Sequence, residues 1–242
     1  MSGRLMASKW KQFWIILVIA LAPSTAAAQD LETKLAQRAD FIPTATSVRE
    51  QLIQVAQHYK IPMGIEWVIK AEEKEVKLVA DGAPTVMSLL NLILQATPDY
   101  SLTVRRGVVH VSDNRYTVDS RNFLNLWIGE FSLTKANVYD AEAELRFKIR
   151  VTLHPERYAY GSNGGYGSGP REEDDLNIRN VTFSGKNLTV RNILDRIISN
   201  NGNTLWVVNI APSRMMKEVP FFAQFDALQE VDFIWKIIPF TQ

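Results

Sequence analysis

The residues best suited to move protons or hold a metal are three histidines, His58, His110 and His154. None stands in a His-x-x-x-His arrangement, and the chain has no cysteine, so the ligand spacings of a zinc site are missing. His58 falls near the end of a helical pattern, where a cation is favoured by the helix dipole. Gly165-Tyr166-Gly167-Ser168-Gly169 has the glycines of a serine nucleophile elbow at the wrong spacing, and it runs into acids instead of a helix. The same stretch lacks the Gly-Lys-Ser/Thr of a phosphate cradle. Glu172-Glu173-Asp174-Asp175 lacks the ligand spacing of a calcium loop and suits a solvated loop face. Carboxylates do acid–base work when burial raises one of a pair. Glu66, on a strand pattern, and Asp195, on a helix pattern, are the candidates, but spacing pairs neither. Asp195 beside Arg191 and Arg196 has the simpler reading of a surface charge pair. No catalytic, cofactor-binding or metal-binding residue is therefore expected, and the chain is expected not to be an enzyme.

Composition excludes the collagen-like, coiled-coil and disordered classes. The 242 residues are 46% hydrophobic and 22% charged, as in ordinary globular proteins. Lys+Arg 27 against Asp+Glu 26 leaves a formal charge of +1, so the basic footprint of a nucleic-acid binder is absent. No disulfide scaffold is possible without cysteine.

The first residues carry an address. Arg4, Lys9 and Lys11 precede an apolar run from Phe13 to Leu21, and Ala26-Ala27-Ala28 before Gln29 fits the small-x-small cleavage rule. This predicts a signal peptide over 1–28, cleaved near Ala28, and a periplasmic or secreted protein. The run is too short to span a bilayer, and no later segment is apolar enough, so no transmembrane segment is expected after cleavage.

The elements that must position any site recur. Ser47-Val48-Arg49-Glu50, Thr85-Val86-Met87-Ser88, Asn137-Val138-Tyr139-Asp140 and Thr189-Val190-Arg191-Asn192 each place an N-cap residue type before an apolar residue. Apolar faces follow at helical spacing: Val48, Leu52, Val55 and Ala56; Val86, Leu89, Leu90 and Ile93; Val190, Ile193, Leu194 and Ile197. The helix after Asn137 has no predictable end. Strands are expected at 64–68, 74–80, 100–104, 107–112 and 204–208, set off by Pro62, Pro98 and Gly202. The fold class expected is α+β, as two tandem βαββαβ-type modules. A helix or linker occupies 29–40, the first module 41–119 and the second 120–220. The second contains a flexible Gly-rich insertion over 158–175, and an aromatic segment covers 221–242.

Two stretches carry a family resemblance. Ser47-Val-Arg-Glu-Gln-Leu-Ile-Gln-Val-Ala, then Pro62-Met-Gly-Ile-Glu-Trp, Lys77-Leu-Val-Ala-Asp-Gly and Val86-Met-Ser-Leu-Leu-Asn-Leu-Ile-Leu, make 41–113 resemble the short N-terminal domain of secretins and TonB-dependent receptors. Residues 187–209, with Leu188-Thr-Val-Arg-Asn-Ile-Leu-Asp-Arg-Ile-Ile and Leu205-Trp-Val-Val, look like the second half of another copy. The resemblance implies a small periplasmic α+β sandwich that docks onto envelope proteins without catalysis. Within these 242 residues neither a β-barrel nor a secretin ring is expected.

Partner contacts are expected from Tyr158, Tyr160, Tyr166 and Arg171 in the insertion, since Tyr among Gly and Ser makes adaptable binding loops. Phe233 and Trp235 join them from a C-terminal segment too apolar for water. That segment either docks on its own module or adds a strand to another protein. The alternative function is glycan or small-ligand binding, with Trp67, Trp127, Trp206 and Trp235 as stacking platforms. Strand alternation gives Trp67 and Trp206 core roles instead. An unrecognised hydrolase is the remaining reading.

Overall fold

The computed structural model describes residues 26–68, 85–118, 122–153, 155–158, 180–210 and 235–240. Outside these lie most of the expected signal peptide, the expected strand at 74–80, and the expected insertion beyond Tyr158. In chain order the elements are α1 (Ala26–Ala36), α2 (Val48–Tyr59), β1 (Met63–Val68), α3 (Val86–Leu94), β2 (Tyr100–Arg105), β3 (Val108–Asp113) and a 3-10 turn (Phe123–Asn125). There follow β4 (Trp127–Ala136), α4 (Val138–Leu153), α5 (Pro155–Tyr158), β5 (Val181–Thr189), α6 (Val190–Asn201), β6 (Thr204–Ile210) and β7 (Trp235–Pro239). The cleavage point expected after Ala28 falls within α1.

All four cap signatures start helices. Ser47 Oγ accepts from the Glu50 N–H at 3.3 Å, Thr85 Oγ1 from Ser88 at 3.2 Å, Asn137 Oδ1 from Asp140 at 2.8 Å and Thr189 Oγ1 from Asn192 at 3.2 Å. Each bond satisfies an amide that the first helical turn leaves without a partner. α2 stops at Lys60 and α6 at Gly202, both left-handed, with the Gly202 N–H returning to Ile198 O at 2.8 Å. The expected apolar faces of α2, α3 and α6 are all buried.

A mixed five-stranded sheet, in the order β2-β3-β1-β6-β7, forms the centre. β1 runs parallel to β3 on one side and to β6 on the other; β2 and β7 close the ends antiparallel. Strands from both halves of the chain thus share one sheet, with β1 between them. Met63, Ile65, Trp67, Val109, Val111, Leu205 and Val207 pack on α1, α2 and α3. Val108, Trp206, Val208, Trp235 and Ile237 pack with α4, α6 and the β4–β5 pair. Burial on both faces explains why β1 and β6 are nearly continuous apolar runs instead of alternating ones.

β4 and β5 make a separate antiparallel ribbon that alternation did not reveal. Its buried face switches: Ile128 and Leu188 point to the core on one side, Phe131, Leu133 and Phe183 on the other. A twisted two-stranded ribbon turns in this way along its length. Of the C-terminal aromatic segment, the described part docks in cis, β7 pairing with β6 from Val208↔Trp235 to Thr204↔Pro239.

Candidate interaction surface

α6 aims two charged side chains at the sheet. Arg191 and Asp195 lie one turn apart and so share a face. Arg191 grips Glu66 of β1 in a fork, Nε donating to Oε1 at 2.7 Å and Nη2 to Oε2 at 2.9 Å. Asn122 Nδ2 donates to the same Oε2 at 3.2 Å, and Arg191 Nη1 donates to Asn125 Oδ1. Glu66 is only 2% exposed. A buried ion pair is tolerated when geometry is bidentate and extra bonds fill the remaining sites, as here.

Asp195 is also enclosed, at 7% exposure, and the expectation of a surface charge pair with Arg191 and Arg196 is corrected. Its Oδ1 accepts the Trp206 indole N–H at 3.1 Å, and its Oδ2 lies 3.4 Å from His110 Nε2. The second contact has ion-pair distance without hydrogen-bond alignment, leaving Nε2 with no bonded partner among the described residues. His110 meets the Trp206 ring edge-on, the centroids 6.0 Å apart. The helical period placed Arg191 and Asp195 inward, which a single sequence does not distinguish from placing them outward. Chemically, these groups brace β1, β3, β6 and α6.

The surface offers different material. A cleft of about 400 Å³ opens between α4 and the β4–β5 ribbon, lined by Glu130, Phe131, Ser132, Glu144, Lys148, Ser184, Gly185 and Lys186. Its charges are already matched: Lys186 meets Glu130 at 2.7 Å and Lys148 meets Glu144 at 3.7 Å. At the start of the ribbon Trp127 is 63% exposed, while Trp67 and Trp206 are buried.

The two ends of the sheet differ. On β7 the outward Trp235 C=O accepts from Arg146 Nη2 at 2.6 Å, and the outward Ile237 N–H donates to Glu142 Oε2 at 3.3 Å. Pro239 has no N–H, and its C=O accepts from Gln57 Nε2 at 3.4 Å. Glu142 and Arg146, one turn apart on α4 and 2.6 Å from each other, thus stand where a further strand would pair. Their Glu-x-x-x-Arg spacing was visible in the sequence, but not its target. β2, at the other end, has no comparable cover among the described residues.

Of the residues expected to touch a partner, Tyr160, Tyr166, Arg171 and Phe233 lie outside the described residues. Tyr158 ends α5. Trp235 is buried at 4%, the Arg146 guanidinium 4.1 Å above its ring, and serves the chain's own core. Among the described residues, no helix is long and apolar enough to cross a membrane, and no three acidic or imidazole groups converge as metal ligands. No family model matches the chain, and neither does any curated protein or solved structure.

Proposed function

We propose that this chain is an exported, non-enzymatic interaction module of the cell envelope, related to the tandem short N-terminal domains of secretins and TonB-dependent receptors, which works by docking onto envelope proteins. The observation that carries this reading is Trp127, an indole 63% exposed on a ribbon held by paired strands. Tryptophan on a rigid element is a preferred anchor of protein interfaces. The groups that could move protons support it as well, because His110, Asp195 and Glu66 are enclosed under α6 and serve as braces. The test is a photocrosslinker placed at Trp127 and, as a control, at Gly129, read in the native envelope. Crosslinks to one defined protein, lost on competition by the unlabelled chain, support docking; diffuse labelling at both positions speaks against it.

The exposed indole also favours a second reading, a glycan- or small-ligand-binding protein in which Trp127 stacks on a sugar ring. Fluorescence of the intact chain against a glycan panel separates the two, since only the second reading expects a saturable change that Trp127→Phe weakens.

A further inference from the structure

The unequal ends of the central sheet point to a second surface. The β2–β3 hairpin turns through Arg106 and Gly107, whose φ values of 53° and 78° are both positive. This is the two-residue turn that makes its flanking residues, Arg105 and Val108, a hydrogen-bonded pair. Bonded and non-bonded pairs alternate along an antiparallel ladder, so Thr103 also bonds inward to His110. Leu102 and Val104 therefore direct their N–H and C=O groups away from the sheet. Tyr100 obeys the same alternation, its N–H leaving the ladder for Thr97 O at 3.0 Å.

β7 spends two charged side chains, a proline and a glutamine on closing its edge. Among the described residues, β2 has nothing of the kind on Leu102 or Val104. Val104 is 43% exposed, and next to it Arg105 and Arg106 are exposed with no ion-pair partner among the described residues. An unpaired strand edge is a template for another strand.

We infer that β2 is a strand-addition site for an extended acidic segment of a partner protein, pairing antiparallel with Leu102 and Val104 and setting its acidic N-terminal end against Arg105 and Arg106. Antiparallel pairing is the more stable of the two ladders. Apolar residues of the guest extend the face of Leu102 and Val104, and its acids match the two cations. A second copy of this chain fits less well. In the register that uses both outward residues, Leu102 stands opposite Val104, and Arg105 then faces Ser101, leaving the cation unmatched. The inference goes beyond the Trp127 surface and does not depend on it.

The test uses the full chain and a synthetic peptide that begins with two glutamates and continues with alternating valine and threonine, with binding read by fluorescence anisotropy. Three controls accompany it: the same composition with the glutamates at the C-terminus, the peptide N-methylated at alternate residues, and the Val104→Pro variant. Proline at 104 removes an N–H that the native sheet does not use, a place where edge strands tolerate it. Saturable binding is expected, about threefold weaker with the glutamates reversed. Loss of at least about tenfold is expected with N-methylation or Val104→Pro, at unchanged thermal midpoint. Hydrogen exchange at the Leu102 and Val104 amides slows on binding. Failure of the intact chain to bind the peptide, or binding indifferent to Val104→Pro and N-methylation, overturns the inference. So does a concentration-dependent dimer, seen by sedimentation and abolished by Val104→Pro, which assigns the edge to a second copy. Since the Trp127 crosslinks read a different surface, either result leaves the docking proposal to its own test.

Discussion

The indole of Trp206 lies over Gly64 on the neighbouring strand, and a Cβ at position 64 would fall inside van der Waals contact of Cζ2 and Cε2 and 2.9 Å from Cη2. The ring cannot retreat easily, because Asp195 holds its N–H and His110 stands at its far side. Gly64→Ala is expected to destabilise the protein by about 1–3 kcal/mol through overpacking. Urea unfolding measures it. Combining Gly64→Ala with Trp206→Leu should recover part of the loss, because the two changes act on one space.

Removing one side of the fork between Arg191 and Glu66 leaves a buried charge without its partner. Arg191→Met or Glu66→Leu alone is expected to cost about 3–5 kcal/mol, and the double substitution much less than their sum. A double-mutant cycle on unfolding midpoints reads the coupling. Additive losses would mean that the two residues act independently.

At the start of the described chain the Tyr59 hydroxyl accepts from the Asp40 and Phe41 amides, both at 2.9 Å, and donates to Asp40 Oδ1 at 2.8 Å. That bond, with His58 adding a smaller effect, holds the Asp40 carboxyl below its ordinary 3.8; burial works against it. A depressed carboxyl contributes stability above the unfolded value and loses it as the pH falls through the folded one. Tyr59→Phe should therefore flatten the acid limb of the stability profile below about pH 4. In the same clamp, burial first and then Asp40 push the Tyr59 phenol above its ordinary 10.0. A raised phenol contributes below the unfolded value and loses that contribution as the pH rises through the folded one, so the variant should also weaken alkaline sensitivity above pH 10. Thermal midpoints across pH, wild type against Tyr59→Phe, decide both limbs.

How much of this was legible varies with distance along the chain. Ser47, Thr85, Asn137 and Thr189 announced their helices because a cap is settled within four residues. Strands β1, β2, β3 and β6 were visible for the same local reason. β4 and β5 were not, since the switch of buried face between Ile128 and Phe131 breaks the alternation by which a strand is recognised. Nor could Glu66 be matched with Arg191, or His110 with Asp195, because those meetings depend on β1 joining β6 across more than a hundred residues. The orientation of α6 was hidden too: charged residues one turn apart look solvated until a sheet is placed beneath them.

The clamp on β7 makes a prediction about dynamics. Glu142→Ala frees the Ile237 amide from its only described partner beyond the sheet, and its hydrogen exchange should accelerate. Global stability should fall by about 0.5–1.5 kcal/mol, the ordinary worth of such a bond. Arg146→Ala removes a carbonyl partner and the cation above Trp235 together. It should shift Trp235 fluorescence and loosen β7 more than Glu142→Ala does. Exchange unchanged in both variants would show that pairing with β6 alone holds the strand.

Trp127→Ala, in contrast, removes an exposed ring that contributes little to the core. Its effect on unfolding is expected within about 0.5 kcal/mol, and any loss of partner crosslinking can be read as a loss of binding surface. A large drop in stability would instead place Trp127 among the structural residues.

The position of β1 sets a timetable. This strand is made early, yet one of its two neighbours, β6, emerges from the ribosome only after most of the chain exists. Until then Glu66 lacks Arg191, the Trp206 side of the sheet is uncovered, and half of the β1 ladder is empty. Long-range pairing of this kind slows folding. A nascent chain that has not yet made β6 holds its middle strand with one edge unpaired, so the sheet closes only late in synthesis.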